Sequence, residues 1–141
     1  MDDDLERFVA AQAPHLEAVK AELAAGRKRT HWMWFVFPQL RGLGHSQLAR
    51  HFGLPSAALA RDYLAHAILG PRLRECVELV LAVPDRSAHE IFGSPDDLKL
   101  RSCLTLFREI DGTDGVFGRA LDRFFDGRPD PKTLQLLADA G

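Results

Sequence analysis

Helix start and stop signals recur along the whole chain, whereas the alternation of apolar and polar residues that is typical of β-strands is nearly absent. In the first segment, apolar residues from Leu5 to Leu23 follow one another at steps of three and four. Further along, short amphipathic segments end at residues such as Gly53, Pro84 and Gly127. The length of 141 residues is typical of one domain. We therefore predict one all-α domain over residues 1–141, a compact orthogonal bundle of about seven to nine short helices.

Individual helix boundaries follow from local sequence signals. The predicted N-caps are Thr30, Ser46 and Ser56, and two capping boxes pair Ser87 with Glu90 and Ser94 with Asp97. Pro71 and Pro95 each fit the first position of a helix. Two points stay open at this level. Pro14 either kinks the first helix or opens a second one, and residues 32–37 form either a short helix or a strand.

Composition narrows the class of protein and of partner. The hydrophobic fraction of 46% is ordinary for a globular protein. A net charge of −2 and a pI of about 6.3 argue against nucleic acid as the main partner. No apolar run approaches the roughly 18 residues of a membrane span, and the acidic N-terminus is unlike a signal peptide. We therefore expect a cytoplasmic protein with no membrane partner, in which Cys76 and Cys103 are buried, unpaired thiols.

Spacings typical of known catalytic and metal sites are missing from the sequence. It contains no HExxH pair, no zinc-finger spacing of cysteines, no P-loop and no GxSxG nucleophile motif. Gly42-Leu43-Gly44 lacks the third glycine of a dinucleotide-binding fingerprint. We therefore predict neither a metal nor a cofactor, and the sequence leaves open whether the protein is an enzyme.

The segment from Lys28 to Gln39 combines basic, aromatic and polar residues. On a helix, His31 and Trp34 would share one face at i,i+3. An imidazole beside an indole can hold a planar ligand by stacking and hydrogen bonding. The alternative is a core histidine that is satisfied by a backbone carbonyl beside packing tryptophans. The pattern therefore marks a candidate site and leaves a structural role open.

A second candidate set lies after Pro95. Asp96, Lys99, Ser102 and Thr105 recur at steps of three and would spread over about half of the helix circumference. A lysine between hydroxyls, with an acid one turn earlier, can hold a phosphate or a carboxylate. The alternative role for Asp96 is a favourable interaction with the helix dipole in the first turn.

Three motifs resemble those of an uncharacterised bacterial family whose members are often automatically labelled "calpastatin". In family order they are Lys28–Leu40 with Gly42–Ser46, then Tyr63–Leu73, then Ile91–Phe107. The resemblance covers nearly the whole chain and implies a small all-α domain without an established activity. Calpastatin inhibitors are disordered and polar, whereas this chain has the apolar residues for a core, so the label implies no function here. The family pattern includes residues that packing alone does not require: Lys28, His31, Trp34, Gln39, Asp96, Lys99 and Ser102.

Two alternative functions are predicted. In the first, the protein binds a planar anionic small molecule such as a nucleotide or an ADP-ribose derivative, with an enzymatic role left open. Its ligand-binding residues would be Lys28, Trp34, Gln39, Lys99 and Ser102, with His31 and Asp96 as the acid–base candidates. In the second, the aromatic segment 31–39 is a peptide groove of a non-catalytic interaction module.

These functions differ in what they require of the fold. A cleft with Lys99 directed into it favours the small molecule, and it requires the first and third motifs to meet. Exposed rings around Trp32 and Phe35 favour the peptide groove. Complete burial of residues 32–37, with Lys99 in solvent, would indicate a purely structural role.

Overall fold

The computed structural model describes residues 3–140, and these residues form ten α-helical segments, one 3-10 turn and no β-strand. The helices are α1 Asp3–Gln12, α2 Leu16–Ala24, α3 Met33–Val36, α4 Gln47–Phe52, α5 Ala57–Ala65, α6 Leu69–Leu81, α7 Ala88–Phe92, α8 Asp96–Asp111, α9 Val116–Phe125 and α10 Pro131–Ala140. The prediction of an all-α bundle is confirmed. When the short α3 and α7 are set aside, eight longer helices remain in this part of the chain, which lies within the predicted range.

Helix α8 lies at the centre of the bundle, in contact with α5, α7, α9 and α10. All residues from 102 to 107 are buried because neighbouring helices surround this part of α8. The Phe107 ring lies 5.5 Å from the Phe117 ring and 5.7 Å from the Tyr63 ring, which joins α8 to α9 and α5. The first turn of α8, which carries Asp96 and Lys99, is less buried.

Most of the predicted helix boundaries are confirmed. The hydroxyl oxygens of Ser46 and Ser56 each accept a hydrogen bond at 3.1 Å from the backbone N–H three residues further on. Ser87 and Glu90 form the reciprocal capping box. Pro14 lies in the 3-10 turn that separates α1 from α2, so a second helix begins after it.

The aromatic segment forms the single turn α3 instead of a strand. The predicted N-cap Thr30 is wrong, because its hydroxyl donates to the Glu22 carboxylate at 2.7 Å and α3 begins only after Trp32. Beyond α3, Leu40 forms an isolated parallel bridge with Leu54. This bridge lays the extended chain beside the end of α4.

Two further boundaries differ from the prediction. Helix α8 begins at Asp96, and its N-cap is Pro95, which makes no side-chain cap hydrogen bond. The capping box of Ser94 and Asp97 is therefore wrong, and Pro95 precedes the first helical position instead of occupying it. The Asp97 carboxylate instead accepts from the backbone N–H of Leu98 at 2.9 Å. Pro71 is the third residue of α6 rather than its first, because the helix begins at Leu69.

Both cysteines are buried and unpaired, as predicted. Burial raises the pKa of the Cys76 thiol to about 12, and burial also raises the pKa of Cys103. The two thiols therefore stay protonated near neutral pH. The described residues contain no group of three histidine, cysteine or acidic side chains that could hold a metal ion. None of the helices within residues 3–140 is long and apolar enough to cross a membrane.

Gln12 is a buried polar residue that ties α1 to the aromatic segment. Its Nε2 donates to the Phe35 carbonyl at 2.6 Å and to the Tyr63 hydroxyl oxygen at 3.0 Å. Its Oε1 accepts a hydrogen bond from Arg72 at 3.3 Å. Gln12 and Tyr63 are buried, so water does not compete for these hydrogen bonds. The bonds therefore fix the backbone of α3 against α1 and α5.

Gln12→Met is expected to lower the free energy of unfolding by about 1–3 kcal/mol, because the buried Tyr63 hydroxyl and the partly buried Phe35 carbonyl each lose a hydrogen-bond partner. Methionine nearly conserves the volume, so the loss reports hydrogen bonding rather than a cavity. Gln135→Met is the matched control, since Gln135 is exposed and donates to Asp139 within α10; its effect should stay within about 0.5 kcal/mol. Urea denaturation measures both variants, and equal losses would contradict the role given to Gln12.

Candidate functional site

The Glu22 carboxylate organises the segment that leads into the aromatic residues. Its Oε1 accepts from the backbone N–H groups of Arg29 and Thr30 at 2.7 and 3.0 Å and from Trp32 Nε1 at 3.0 Å. Burial opposes ionisation, but these hydrogen bonds and the one from the Thr30 hydroxyl outweigh it and lower the pKa of Glu22 to about 2. Glu22 cannot be identified from the sequence, because a glutamate late in an amphipathic helix resembles any solvated residue.

Glu22→Gln is expected to lower the free energy of unfolding at pH 7 by about 1–3 kcal/mol, because an amide offers fewer acceptor sites than a carboxylate. The folded pKa of about 2 lies below the ordinary 4.5, so the stabilisation is complete above pH 4.5 and is lost as the pH falls through about 2. The difference in unfolding free energy between wild type and variant should therefore shrink over that range.

Denaturant unfolding at a series of pH values measures this difference. Glu17→Gln, an exposed change on the same helix, is the control and should show a small difference at every pH. A Glu22→Gln effect that is independent of pH between 4.5 and 2 would contradict the low pKa of this carboxyl.

Asp96 joins the first and third motifs through two ion pairs. Its Oδ2 lies 2.9 Å from Lys28 Nζ, and its Oδ1 lies 3.0 Å from Lys99 Nζ. Burial opposes ionisation of Asp96, but the hydrogen bonds from both ammonium groups lower the pKa of this carboxyl below its usual range. Two cations on one anion leave a surplus positive charge. In a partly buried setting this charge is screened less than at the surface.

Lys28 is held in place from several sides. Its side chain is only 7% exposed, and its Nζ also donates to the Thr30 carbonyl at 2.6 Å. The same ammonium lies 5.0 Å from the centroid of the Trp32 ring. The Lys28 backbone N–H donates to the Ile91 carbonyl at 2.8 Å. Lys28 is therefore a cation whose position beside the Asp96 carboxylate is fixed by these contacts.

Lys99 and Trp34 line an open cleft with a volume of about 270 Å³, which we call the tryptophan cleft. The Lys99 ammonium lies 4.0 Å from the centroid of the Trp34 ring, a cation–π contact. The lining combines apolar and polar groups: Trp34, Leu43, Gly44, Pro95 and Leu98 with Gln39, Lys99, Ser102, Asp130 and Lys132. The arrangement offers an ammonium group beside a partly apolar surface.

The predicted meeting of the first and third motifs is confirmed by the Lys28–Asp96 ion pair and the stacking of Lys99 on Trp34. Four of the predicted ligand-binding side chains line the tryptophan cleft: Trp34, Gln39, Lys99 and Ser102. Lys28 and Asp96 lie outside the lining and are connected to it by the ion pair between Asp96 and Lys99. His31 is exposed and also lies outside the lining. The roles of these residues as ligand-binding or acid–base groups stay predictions.

Ser102 and Thr105 are tied to the start of α10. The Ser102 hydroxyl lies 3.1 Å from the Asp130 carboxylate, and the Thr105 hydroxyl accepts from the Asp130 backbone N–H at 2.8 Å. Asp130 caps α10 by accepting from the Thr133 N–H at 3.1 Å. The sequence pattern does not reveal Asp130 as part of the cleft, because its hydroxyl partners lie on another helix.

Fold and cleft together define a small all-α domain with a positively charged, partly apolar cleft. The chain belongs to the family described as protein of unknown function (DUF1810), whose family model matches residues 2–137. It is similar to the conserved hypothetical protein Rv1873 from Mycobacterium tuberculosis, a crystal structure with 55% sequence identity, 96% of each chain covered and a TM-score of 0.94. No curated protein matches the chain. The similar crystal structure supports the all-α fold, and the family description assigns no activity.

Proposed function

We propose that the tryptophan cleft binds a small anionic molecule with a planar part, such as a nucleotide or an ADP-ribose derivative. The observation that carries the proposal is the position of the Lys99 ammonium, which is held between the Asp96 carboxylate and the Trp34 ring at the cleft wall. An ammonium that its neighbours already fix meets an anion with little further loss of side-chain freedom.

The charge around the cleft favours an anion. Lys28 and Lys99 share the single carboxylate of Asp96, and Lys132 adds another ammonium to the lining. The Asp130 carboxylate is engaged in capping α10, where its charge is stabilised by hydrogen bonds from Thr133. A phosphate or carboxylate at Lys99 would therefore meet a positive potential in a partly desolvated position.

The apolar lining supports the planar part of the ligand. Leu98 is a large apolar side chain that is 55% exposed at the cleft, and a planar group laid against it would remove apolar surface from water. Gly44 carries no side chain beside the Trp34 ring, where a Cβ would lie 3.8 Å from the ring. Because Lys99 covers one face of Trp34, the planar group would lie against the leucines and the open part of the indole, with Gln39 at its polar edge.

Asp96 and His31 have different roles within this proposal. The low pKa of Asp96 makes it a weak base, so its role is to hold two ammonium groups in position. His31 is exposed, beside the segment that Glu22 orders and outside the cleft lining, so its acid–base role would require the bound molecule to extend beyond the cleft.

The alternative, a peptide groove on segment 31–39, needs exposed rings. Trp32 is fully buried, and Phe35 packs against Phe52 at 5.4 Å and His15 at 5.5 Å. These contacts occupy the rings on which the groove would depend, whereas Trp34 lines an open cleft. The burial pattern therefore supports the small-molecule proposal.

A ligand series separates the two parts of the proposed recognition. ADP-ribose and AMP carry both a planar base and an anion, adenosine carries only the base, and ribose 5-phosphate carries only the anion. We expect ADP-ribose and AMP to raise the melting temperature more than either partial ligand does. A ligand at 100 times its dissociation constant stabilises the folded state by about 2.7 kcal/mol. No shift with any of the four at millimolar concentration would overturn the proposal.

A further inference from the structure

A second cleft, with a volume of about 720 Å³, lies beside α4. Its described lining contains no acidic residue and consists of Arg7, Arg41, Gln47, Leu48, Arg50 and His51. We call it the arginine cleft. It shares no lining residue with the tryptophan cleft, although the segment between residues 39 and 48 contributes to both.

The backbone brings Arg41 against the helix that carries Arg50. The Arg41 N–H donates to the Leu54 carbonyl at 2.8 Å, and the Leu54 N–H donates to the Gln39 carbonyl at 2.9 Å. At Gly53 a Cβ would lie only 2.7 Å from Arg41 Cα, so this close approach of two backbones requires glycine. The position of Arg41 is therefore set by backbone contacts and not by its own side chain.

Arg7 closes the cleft from α1. Its Nε donates to the His51 carbonyl at 3.0 Å, and its guanidinium lies 4.8 Å from the centroid of the Phe8 ring. The His51 ring packs edge-on against Phe52 at 4.6 Å. One wall of the arginine cleft is therefore an ordered contact between α1 and the last turn of α4.

This concentration of positive charge contrasts with the whole chain, which has a net charge of −2. Among the side chains that the structure describes, those of residues 5–139, neither Arg41 nor Arg50 forms an ion pair with a carboxylate. The negative end of the α4 dipole accounts for a cation such as Arg50 in the last turn. It does not account for Arg41, which lies on a different segment and faces the same cleft.

We propose that the arginine cleft binds a small molecule through a group with two or more phosphates. Guanidinium groups bind phosphate oxygens through paired N–H donors, and two of them match the charge of a diphosphate. Leu48 is 50% exposed and offers an apolar contact to the rest of such a molecule. The volume lies in the range of small-molecule sites, about 300–1,000 Å³.

Calorimetric titration with inorganic pyrophosphate tests the charge-recognising part of this site. Arg41→Gln with Arg50→Gln should raise the dissociation constant about tenfold or more. Arg27→Gln with Arg61→Gln is the control that removes equal charge from exposed positions outside the cleft. It should leave the dissociation constant within about twofold, because distant surface charges are screened. Equal weakening by the two pairs would overturn the proposal.

Gln47→Glu provides an independent test that leaves every arginine in place. Gln47 is the first residue of α4, where a carboxylate is compatible with the helix dipole. The substitution places a negative charge in the lining and should weaken pyrophosphate binding without lowering the melting temperature. Unchanged affinity in this variant would contradict the proposed site.

Two further results distinguish this site from anion binding in the tryptophan cleft and from nucleic-acid binding. Lys99→Met should leave pyrophosphate affinity unchanged, and a loss in that variant would place the anion in the tryptophan cleft instead. A short DNA oligonucleotide should bind more weakly than pyrophosphate. Tighter oligonucleotide binding that the Arg41→Gln and Arg50→Gln pair removes would overturn the assignment to a small molecule.

Discussion

Trp32→Ala is expected to lower the free energy of unfolding by about 3–5 kcal/mol, because it removes the largest side chain of the core and leaves a cavity. Trp32 is fully buried, and its ring lies 6.1 Å from Phe37 and 6.5 Å from Phe92. Its Nε1 also donates to Glu22 at 3.0 Å. The substitution would therefore disturb both the core and the segment that carries Lys28.

Trp34→Ala is the matched comparison, since it removes the same side chain two residues away. Trp34 is half-buried at the cleft wall, and its cation–π contact with Lys99 contributes about 0.5–1 kcal/mol. We expect a clearly smaller loss of stability than for Trp32→Ala, together with a loss of ligand-induced stabilisation. Urea denaturation with and without AMP measures both quantities. Equal destabilisation by the two substitutions would contradict the division into a core tryptophan and a cleft tryptophan.

Local interactions explain why so many helix boundaries could be predicted from the sequence. Ser46 and Ser56 cap the helices that follow them, because the required N–H groups lie three residues away in the same chain segment. Thr30 has the same local signal, but the Glu22 carboxylate accepts from its hydroxyl and its backbone N–H. The sequence around Thr30 indicates a possible N-cap. It does not reveal that a carboxylate on an earlier helix accepts hydrogen bonds from the same residue.

The sequence predicts that the two motifs of the candidate site lie close together, but it does not predict which side chains contact one another there. An aromatic and basic segment and a polar stripe on α8 indicated residues that a core does not need. The sharing of the Asp96 carboxylate by Lys28 and Lys99 depends on the orientation of α8 relative to the segment after α2. That orientation is set by tertiary contacts such as the hydrogen bond from the Lys28 N–H to the Ile91 carbonyl.

The arginine cleft shows a different limit of the sequence. Arg7, Arg41 and Arg50 each resemble a solvated surface arginine, and their spacing follows no helical period. They line one cleft because the bridge between Leu40 and Leu54 and the glycine at position 53 bring separate segments together. When residues come together only through one close contact between distant backbone segments, their positions in the sequence show no helical or strand periodicity.

Lys99→Met is expected to abolish the stabilisation of the protein by AMP, which carries a base but only one phosphate. In the wild type this stabilisation amounts to about 2.7 kcal/mol at 100 times the dissociation constant. Methionine keeps an unbranched apolar chain against Trp34 and removes the charge that the proposal assigns to anion binding. In the free protein, Asp96 keeps its ion pair with Lys28. The variant should therefore lose only about 1 kcal/mol or less of its own stability.

Lys20→Met is the matched control, because Lys20 is a partly exposed lysine that forms an ion pair with Glu75 at 3.3 Å outside the cleft. Thermal unfolding of both variants, with and without AMP, separates a loss of binding from a loss of fold. Full ligand-induced stabilisation in Lys99→Met would remove Lys99 from the site. A loss of stability in free Lys99→Met as large as that in Trp32→Ala would show instead that Lys99 supports the fold. A lysine that serves only to bind a ligand should contribute little to the core, and Asp96 keeps Lys28 as a partner.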